Sequence, residues 1–214
     1  MQAKMEDAEA RRKVRAAKRE AKGGVLRAVN SCTKFAVSGA AFAALVHFRN
    51  AEACWALTGS ILSSFNCKFL KHLLNHERPE SAPKADPGMP SAHAQSLAFL
   101  STYAILHLAK VNTMAAFALQ AISLFLAWLR VEMGYHTLIQ VVVGYLLGAS
   151  SSAAWFFLGR SALPQLLQNP EALKMVYASV VVSMVLFAGL FGKSWMKELT
   201  EGLNKLQQGM SKRN

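Results

Sequence analysis

The stretch LIQVVVGYLLGASSSAAWFFL, residues 138–158, decides the fold that this sequence predicts. Its 21 residues include no charged side chain. A transmembrane α-helix needs about 20 consecutive, mostly apolar residues, so the stretch is long enough to cross a bilayer. A soluble protein with very apolar helices is the alternative, and the valine run Val141–Val143 argues against it. The stretch therefore predicts a membrane-spanning helix.

Five further apolar runs have a similar length, at residues 35–49, 52–70, 92–109, 112–129 and 173–191. The predicted fold class is all-α: an integral membrane bundle of six transmembrane helices over residues 35–191, between a basic N-terminal tail (1–34) and a basic C-terminal tail (192–214). Polar side chains interrupt the second and third runs, and we expect them to face the bundle interior. They are Cys54, Ser60, Ser63, Ser64, Asn66, Cys67, Gln95, Ser96, Ser101 and His107.

The basic residues are distributed unevenly about these helices. The chain is 53% hydrophobic and carries a formal net charge of +12. Six crossings place both termini and the 2/3 and 4/5 loops on one side, which then holds twenty Lys and Arg residues against four on the other. The positive-inside rule makes this side the cytosol or its equivalent, such as a plastid stroma. The positive charge is thus assigned to the bilayer, and no nucleic-acid partner is predicted.

The first 22 residues favour a basic helical tail, lying near anionic headgroups or solvated. Transit peptides are rich in Ser and poor in acids, whereas this segment has no Ser and four acidic residues. We therefore expect either that the first helix directs insertion or that the true start lies upstream. The three cysteines, Cys32, Cys54 and Cys67, show no metal-ligand spacing and are interpreted as packing residues.

Cations and imidazoles gather on the loops of the basic side. Lys71, Arg78 and Arg130 match the requirements of an oxyanion such as phosphate, because guanidinium groups pair with phosphate oxygens. The alternative is that they only anchor helices at the membrane surface. His72 and His76 lie four residues apart, a spacing that a metal site can use, but no HExxH arrangement accompanies them. No metal site is predicted.

Three segments distinguish these alternatives: KHLLNHERP (71–79), PSAH (90–93) and RVEMGYH (130–136). In order, they resemble the three motifs of the type-2 phosphatidic acid phosphatase superfamily, KxxxxxxRP, PSGH and SRxxxxxHxxxD. Their surroundings, DPGMPSAHAQS and LRVEMGYHTLIQVVVG, resemble the plastid lipid phosphate phosphatase epsilon subgroup of plants and algae, with dolichyl-diphosphatases as near relatives. The resemblance covers about residues 52–160.

The resemblance implies a role for each matching residue. His136 is the expected nucleophile, which forms a phosphohistidine, and His93 the general acid that protonates the leaving lipid alkoxide and then serves as base toward water. The expected phosphate-binding residues are Lys71, Arg78, Ser91 and Arg130. Ser91 is also predicted to cap the third helix, where backbone N–H groups favour an anion. The superfamily reaction needs no metal and no cofactor.

The sequence departs from the family motifs at Ala92, Leu129 and Gln140, where the family has Gly, Ser and Asp. Gln140 lies one helical turn after His136 and is expected to orient its ring, but it supplies no charge. The near relatives share this Gln, which implies that activity survives. Two hypotheses supply the charge: the phosphate dianion or Glu132. On either, Gln140→Asp is expected to be neutral or mildly activating.

The predicted activity is hydrolysis of phosphatidate to diacylglycerol and phosphate. By resemblance, it takes place at the chloroplast inner envelope, from the stromal or cytosolic face. One alternative changes the substrate to a polyprenyl diphosphate. Another is a non-catalytic lipid-binding protein that kept the fold, with Ala92 and Gln140 as signs of decay. A transporter is disfavoured because the titratable groups collect at one end of the helices rather than in mid-membrane.

Overall fold

A computed structural model of the chain describes residues 26, 29–30, 32–79, 82, 86–109 and 111–211. Most of the predicted basic N-terminal tail (1–34) lies outside the described residues. Six α-helices are present, so the all-α prediction is confirmed for the described part of the chain. They are α1 (Cys32–Phe48), α2 (Ala51–Leu74), α3 (Ala92–Leu108), α4 (Thr113–Glu132), α5 (Leu138–Leu166) and α6 (Pro170–Ser211).

Short polar side chains set the starts of four helices. Asn50, Ser91, Asn112 and Thr137 precede α2, α3, α4 and α5, and each side-chain oxygen accepts a hydrogen bond from a backbone N–H of the first turn. Such a cap satisfies a donor that has no partner within the helix and contributes about 1 kcal/mol. At Thr137 the cap is reciprocal, because Gln140 also bonds back to the Thr137 backbone. The predicted cap at Ser91 is confirmed.

The last two helices extend beyond the apolar runs that predicted them. Helix α5 continues to Leu166, and α6 starts at Pro170 and ends at Ser211. Proline is favoured in the first turn of a helix, where its missing N–H costs nothing. Residues 192–211 contain no further proline, so the helix continues after the apolar run ends. Hydropathy reports the part of a helix that suits a bilayer, not the helix end.

Helix α3 lies at the centre of the bundle, where it packs most extensively on α5 and also against α4 and α2, while α2 packs on α6. Two glycines let α3 and α5 approach closely. A Cβ on Gly144 would lie 2.6 Å from the Ser91 carbonyl oxygen, and one on Gly148 would overlap the carbonyl oxygen of Gln95. The backbones of α3 and α5 therefore touch along the face that carries the second and third motifs.

Polar side chains lie among the apolar ones in the interior of the bundle. Gln95 Nε2 donates to the carbonyl oxygen of Ser63 at 2.9 Å, and Ser152 Oγ donates to the carbonyl oxygen of Phe99 at 2.8 Å. Large apolar side chains lie outside, including Phe69, Phe117, Leu146 and Val185. This distribution suits a lipid solvent, in which polar groups must find partners within the protein.

Most of the polar positions that we expected inside α2 and α3 are buried or half-buried, but two are exposed. Asn66 precedes the buried Cys67. Because successive helix residues point about 100° apart, Asn66 lies outside the buried face of α2. His107 is the next-to-last residue of α3, where the helix leaves the bundle interior. For Asn66 and His107 the prediction of an interior position was wrong.

Three of the described helices are long and apolar enough to cross a membrane: Thr113–Glu132, Leu138–Leu166 and Pro170–Lys197. Helix α1 is apolar but shorter, and α3 has 17 residues. Helix α2 has 24 residues, and its polar side chains lower its hydropathy. The described structure thus contains three candidate spans.

Candidate active site

The C-terminal ends of α2 and α4 meet the N-terminal ends of α3 and α5 at one end of the bundle. The backbone N–H of Ser91 donates to the Gln140 carbonyl oxygen at 3.0 Å, which joins the second motif to the third. Arg78 Nη1 donates to the Tyr135 carbonyl oxygen at 3.0 Å, which joins the first motif to the third. Arg78 and His136 are 58 positions apart in sequence, and these contacts bring their segments together.

A tight turn after α4 presents His136 to this site. Gly134 has φ 72°, a left-handed conformation that glycine adopts without a Cβ clash. The turn lets the backbone N–H groups of Tyr135 and His136 both donate to the Arg130 carbonyl oxygen, at 3.0 and 3.2 Å. The His136 side chain folds inward, and the residue is only 3% exposed.

One ring nitrogen of His136 faces a hydrogen-bond donor, and the other faces an acceptor. Nε2 lies 3.0 Å from Arg78 Nη1, and Nδ1 lies 3.2 Å from Gln140 Oε1. A guanidinium can only donate, so Nε2 must accept and is unprotonated. Nδ1 then carries the proton and donates to the amide oxygen. This neutral tautomer leaves its lone pair on Nε2.

The electrostatic surroundings keep this imidazole neutral. Burial and, after it, three nearby positive charges together lower the pKa of His136 to about 3, while the hydrogen bond with Gln140 opposes the shift. The charges are those of Arg78, Arg130 and Lys71. All three motif cations are thus close enough to influence the imidazole, as expected of groups that surround one site.

Gln140 is fully buried, and both ends of its amide are used. Oε1 also accepts from the backbone N–H of Thr137 at 3.1 Å, and Nε2 donates to the Glu77 carbonyl oxygen at 2.6 Å. His76 Nδ1 lies 3.1 Å from the same Nε2. A carboxylate could not donate to the Glu77 carbonyl oxygen. An Asp side chain is also shorter than Gln and would reach less far toward His136 and Glu77. The structure thus reverses our expectation for Gln140→Asp, since only an amide satisfies these partners.

Glu132 does not approach His136, the expected nucleophile. Its side chain is exposed at the end of α4, and among the described contacts it forms no hydrogen bond or ion pair with His136. The hypothesis that Glu132 supplies the missing carboxylate is wrong. Of the two hypotheses, the one in which a phosphate dianion supplies the negative charge stays a prediction.

Lys71 and Arg78 converge on Asp86, which the sequence reasoning left without a role. Lys71 Nζ donates to Asp86 Oδ2 at 3.2 Å and to the Pro87 carbonyl oxygen at 2.5 Å. Arg78 donates from Nη2 to Asp86 Oδ2 and from Nε to the Asp86 carbonyl oxygen, both at 2.8 Å. Partial burial raises the pKa of Asp86, but the bond and charge of Arg78 and the charge of Lys71 outweigh it and hold the pKa below its usual range.

Arg130 is held by partners that the sequence did not identify. Its Nη1 donates to Asn30 Oδ1 at 2.9 Å, and its Cζ lies 4.3 Å from the centre of the Tyr135 ring. A guanidinium over an aromatic face is attracted by the ring and held flat against it. The aromatic residue before His136 was the only sequence signal for this contact. The residue Asn30, just before α1, had none.

Ser91 and His93 lie at the start of α3. Ser91 is fully buried, and its hydroxyl accepts from the Ala94 backbone N–H at 3.5 Å. His93 follows two residues later, half-buried, with a buried Nε2. The departures at Leu129 and Ala92 have different surroundings, because Leu129 is a fully buried core residue and Ala92 is exposed. The roles of Ser91 in phosphate binding and His93 in proton transfer remain predictions.

Within the described residues, no group of three or more His, Cys, Asp or Glu side chains is placed to hold a metal ion. His72 and His76 are both exposed. His76 Nδ1 lies 3.0 Å from the Glu77 carbonyl oxygen and near Gln140. His76 is therefore one of the residues next to the Gln140 side chain.

The chain is similar to two curated proteins of Arabidopsis thaliana. It is 34% identical over 187 residues to lipid phosphate phosphatase epsilon 1, chloroplastic, which covers 82% of this chain and 66% of that protein. It is 30% identical over 186 residues to lipid phosphate phosphatase epsilon 2, chloroplastic, over 84% of this chain and 65% of that protein. The chain thus spans about two thirds of the length of these relatives.

A more distant similarity joins the chain to dolichyldiphosphatase of Saccharomyces cerevisiae. That match is 29% identical over 126 residues and covers 51% of this chain and 53% of that protein. No family model matches the sequence. No solved structure matches it either.

Proposed function

Because the chain belongs to the lipid phosphate phosphatase family of the type-2 phosphatidic acid phosphatase superfamily, we propose that it hydrolyses phosphatidate to diacylglycerol and inorganic phosphate. The observation that carries the proposal is the contact between Arg78 Nη1 and His136 Nε2 at 3.0 Å. It puts a phosphate-binding cation and an unprotonated nucleophile side by side. The site therefore combines anion binding with a nitrogen that can attack phosphorus.

In the first step, a phosphate oxygen takes over the Arg78 N–H that His136 Nε2 accepts in the structure. The freed Nε2 lone pair attacks phosphorus, and the P–O bond to the lipid breaks. His93 gives its proton to the leaving alkoxide, which departs as the diacylglycerol hydroxyl. The attacking imidazole becomes cationic as the N–P bond forms, and Gln140 Oε1 accepts its Nδ1–H throughout. The phosphoryl oxygens that Lys71, Arg78 and Arg130 bind supply the compensating negative charge.

In the second step, water attacks the phosphohistidine and the P–N bond breaks. His93, now neutral, accepts the proton of that water, which restores both histidines to their starting states. Inorganic phosphate leaves from the three cations. No step requires a metal ion, so activity in the presence of a chelator is part of the proposal.

We further propose that all six helices cross the membrane, with the site at the basic face. Helix α1 is apolar but shorter than the candidate spans, and α3 has 17 residues against 20 in the shortest of those spans. The polar side chains of α2 are mostly turned into the bundle. The names of the two epsilon relatives support a chloroplast location. The inner envelope and a stromal or cytosolic face complete the proposal.

A polyprenyl diphosphate is the second candidate substrate, which the dolichyldiphosphatase similarity favours. The same residues serve it, because cleavage of a terminal phosphate uses the same nucleophile and cations. The higher identity and coverage of the epsilon relatives favour phosphatidate. Competition between the two lipids in one assay discriminates them by their relative kcat/KM.

A non-catalytic lipid-binding protein is the third candidate. The closed hydrogen-bond arrangement around Gln140 opposes it, because Gln140 completes the surroundings of His136 rather than leaving a gap in them. A decayed site would have no reason to keep His136, its tautomer and its contact with Arg78.

The test is phosphate release from phosphatidate by the purified protein in detergent with a chelator present. The wild type is expected to turn over, and His136→Ala is expected to lose activity on the order of 10⁶-fold, as removal of a nucleophile does elsewhere. Glu132→Gln is the matched control and is expected to retain full activity, because Glu132 is exposed. Full activity of His136→Ala would reject the mechanism, and inactivity of the wild type toward every lipid phosphate would favour the non-catalytic alternative.

A further inference from the structure

One carboxylate oxygen joins the two cations of the first motif. Asp86 Oδ2 accepts from Lys71 Nζ at 3.2 Å and from Arg78 Nη2 at 2.8 Å. Two cationic donors that converge on one anionic oxygen form the arrangement that a phosphate oxygen requires from these same residues. The position of Oδ2 therefore coincides with a place that the phosphate is expected to use.

The other donors of Arg78 are engaged elsewhere. Nη1 contacts the Tyr135 carbonyl oxygen and His136 Nε2, and Nε donates to the Asp86 carbonyl oxygen. Among the described contacts, Nη2 donates to the carboxylate alone. Nη2 carries two N–H groups, so a phosphate oxygen competes with Asp86 Oδ2 for the N–H that points at the carboxylate and for the position between Nη2 and Lys71 Nζ.

The carboxylate can turn away while the loop stays in place. The Asp86 side chain is 51% exposed, whereas those of Lys71 and Arg78 are 11% and 7% exposed. The backbone carbonyl oxygens of Asp86 and Pro87 keep their own bonds to Arg78 and Lys71. These bonds position the cations independently of the carboxylate, so its rotation into solvent leaves both cations where they are.

We propose that the Asp86 carboxylate is an internal competitor for the phosphate site, which a phosphate oxygen displaces from between Lys71 and Arg78. This inference rests on the proposed function, because it assigns phosphate to those cations. A competitor of this kind weakens binding of substrate and product by the same factor, equal to the inverse of the fraction of molecules in which the carboxylate is turned away. The benefit falls on release of inorganic phosphate, which three cations would otherwise retain.

The experiment measures binding of inorganic phosphate to the purified full chain in detergent by isothermal titration calorimetry, which needs no turnover. For a half-exposed ion pair we expect the carboxylate to occupy the cations in most molecules, so Asp86→Asn should lower the Kd for phosphate about 5- to 20-fold. Asp86→Ala serves as a second variant and should tighten binding at least as much. Melting temperatures of both variants without phosphate establish that they fold.

Glu132→Gln is the control, because it removes one negative charge near the site without touching the two cations. Its Kd is expected to stay within about twofold of the wild type, since exposed charges are strongly screened. Unchanged or weaker phosphate binding by both Asp86 variants would overturn the inference, as would equal tightening in Glu132→Gln. So would the lack of phosphate binding by wild type and variants alike.

The binding measurement separates this inference from the proposed function. A wild type that hydrolyses phosphatidate, together with Asp86 variants that bind phosphate more weakly, would overturn the competitor and leave the function intact. Tighter binding by the variants of a protein that hydrolyses no lipid phosphate would support the competitor and reject the function.

Discussion

The buried, neutral state of His136 predicts a specific loss of stability in acid. Its pKa is about 3 in the folded protein and about 6.5 in an unfolded chain. Above pH 6.5 neither state binds the proton, so the group leaves stability unchanged. As the pH falls below 6.5, the His136 side chain binds a proton in the unfolded chain but not in the folded protein. The free energy of unfolding therefore falls by about 1.36 kcal/mol per pH unit until about pH 3.

Between pH 6.5 and 4.5 this linkage amounts to about 2 kcal/mol, and over the whole window to about 5 kcal/mol. For a chain of this size, about 2 kcal/mol corresponds to a melting temperature roughly 4 to 8 °C lower. Asp86 does not interfere, because its lowered pKa makes its stabilisation present above about pH 4 and lost only below it. Between pH 6.5 and 4.5, the change in stability therefore comes from His136 and not from Asp86.

The assay compares melting temperatures of the wild type and His136→Gln in one phosphate-free detergent solution at a fixed scan rate. Glutamine is polar and does not titrate, and the remaining histidines are common to both proteins, so their effects cancel in the difference. The wild type is expected to lose roughly 4 to 8 °C more than His136→Gln between pH 6.5 and 4.5. Parallel curves for the two proteins would refute the reasoning that His136 is held neutral by burial and the neighbouring cations.

Two further predictions concern Gln140 and the contact between α3 and α5. Gln140→Leu is expected to lower kcat about 10- to 100-fold with little change in KM, because it removes the acceptor of the His136 Nδ1–H, a loss of about 1–3 kcal/mol. Gln140→Asp should also lower kcat, since it cannot donate to the Glu77 carbonyl oxygen, and an Asp variant as active as wild type in steady-state assays would contradict the geometry. Gly148→Ala is expected to destabilise the protein by about 1–3 kcal/mol, because the added Cβ would overlap the Gln95 carbonyl oxygen. The measurement is the melting temperature, which should fall. An unchanged melting temperature would mean that α3 and α5 do not approach so closely.

The helices were predictable to within a few residues at most ends. Apolar runs and polar caps are local signals, and the cap residues Ser91 and Thr137 mark helix starts that the sequence alone located. The ends of α5 and α6 were underestimated because hydropathy follows the membrane and not the backbone hydrogen bonds. The exposure of Asn66 was not predicted from the sequence, because a single 100° step around the helix separates it from the buried Cys67.

The sequence named candidate residues for the site but not the contacts between them. Motif spacing named Lys71, Arg78 and His136, and helix parity placed them at one end. It did not indicate that Arg78 contacts the nucleophile itself, or that Asp86 lies between the two cations. These contacts join loops whose conformations depend on one another, so no local rule predicts them.

Sequence was sufficient to locate most of the helix residues, to gather the motif residues at one end of the bundle and to identify the family, because each of these depends on local composition and on motifs read in order. The tertiary structure alone decided how Gln140 can replace a carboxylate. An amide at that position accepts from His136 on one side and donates to the Glu77 carbonyl oxygen on the other. Only the folded protein brings the loop after α2 against the first turn of α5, and that contact makes the amide a better fit than the charge it replaces.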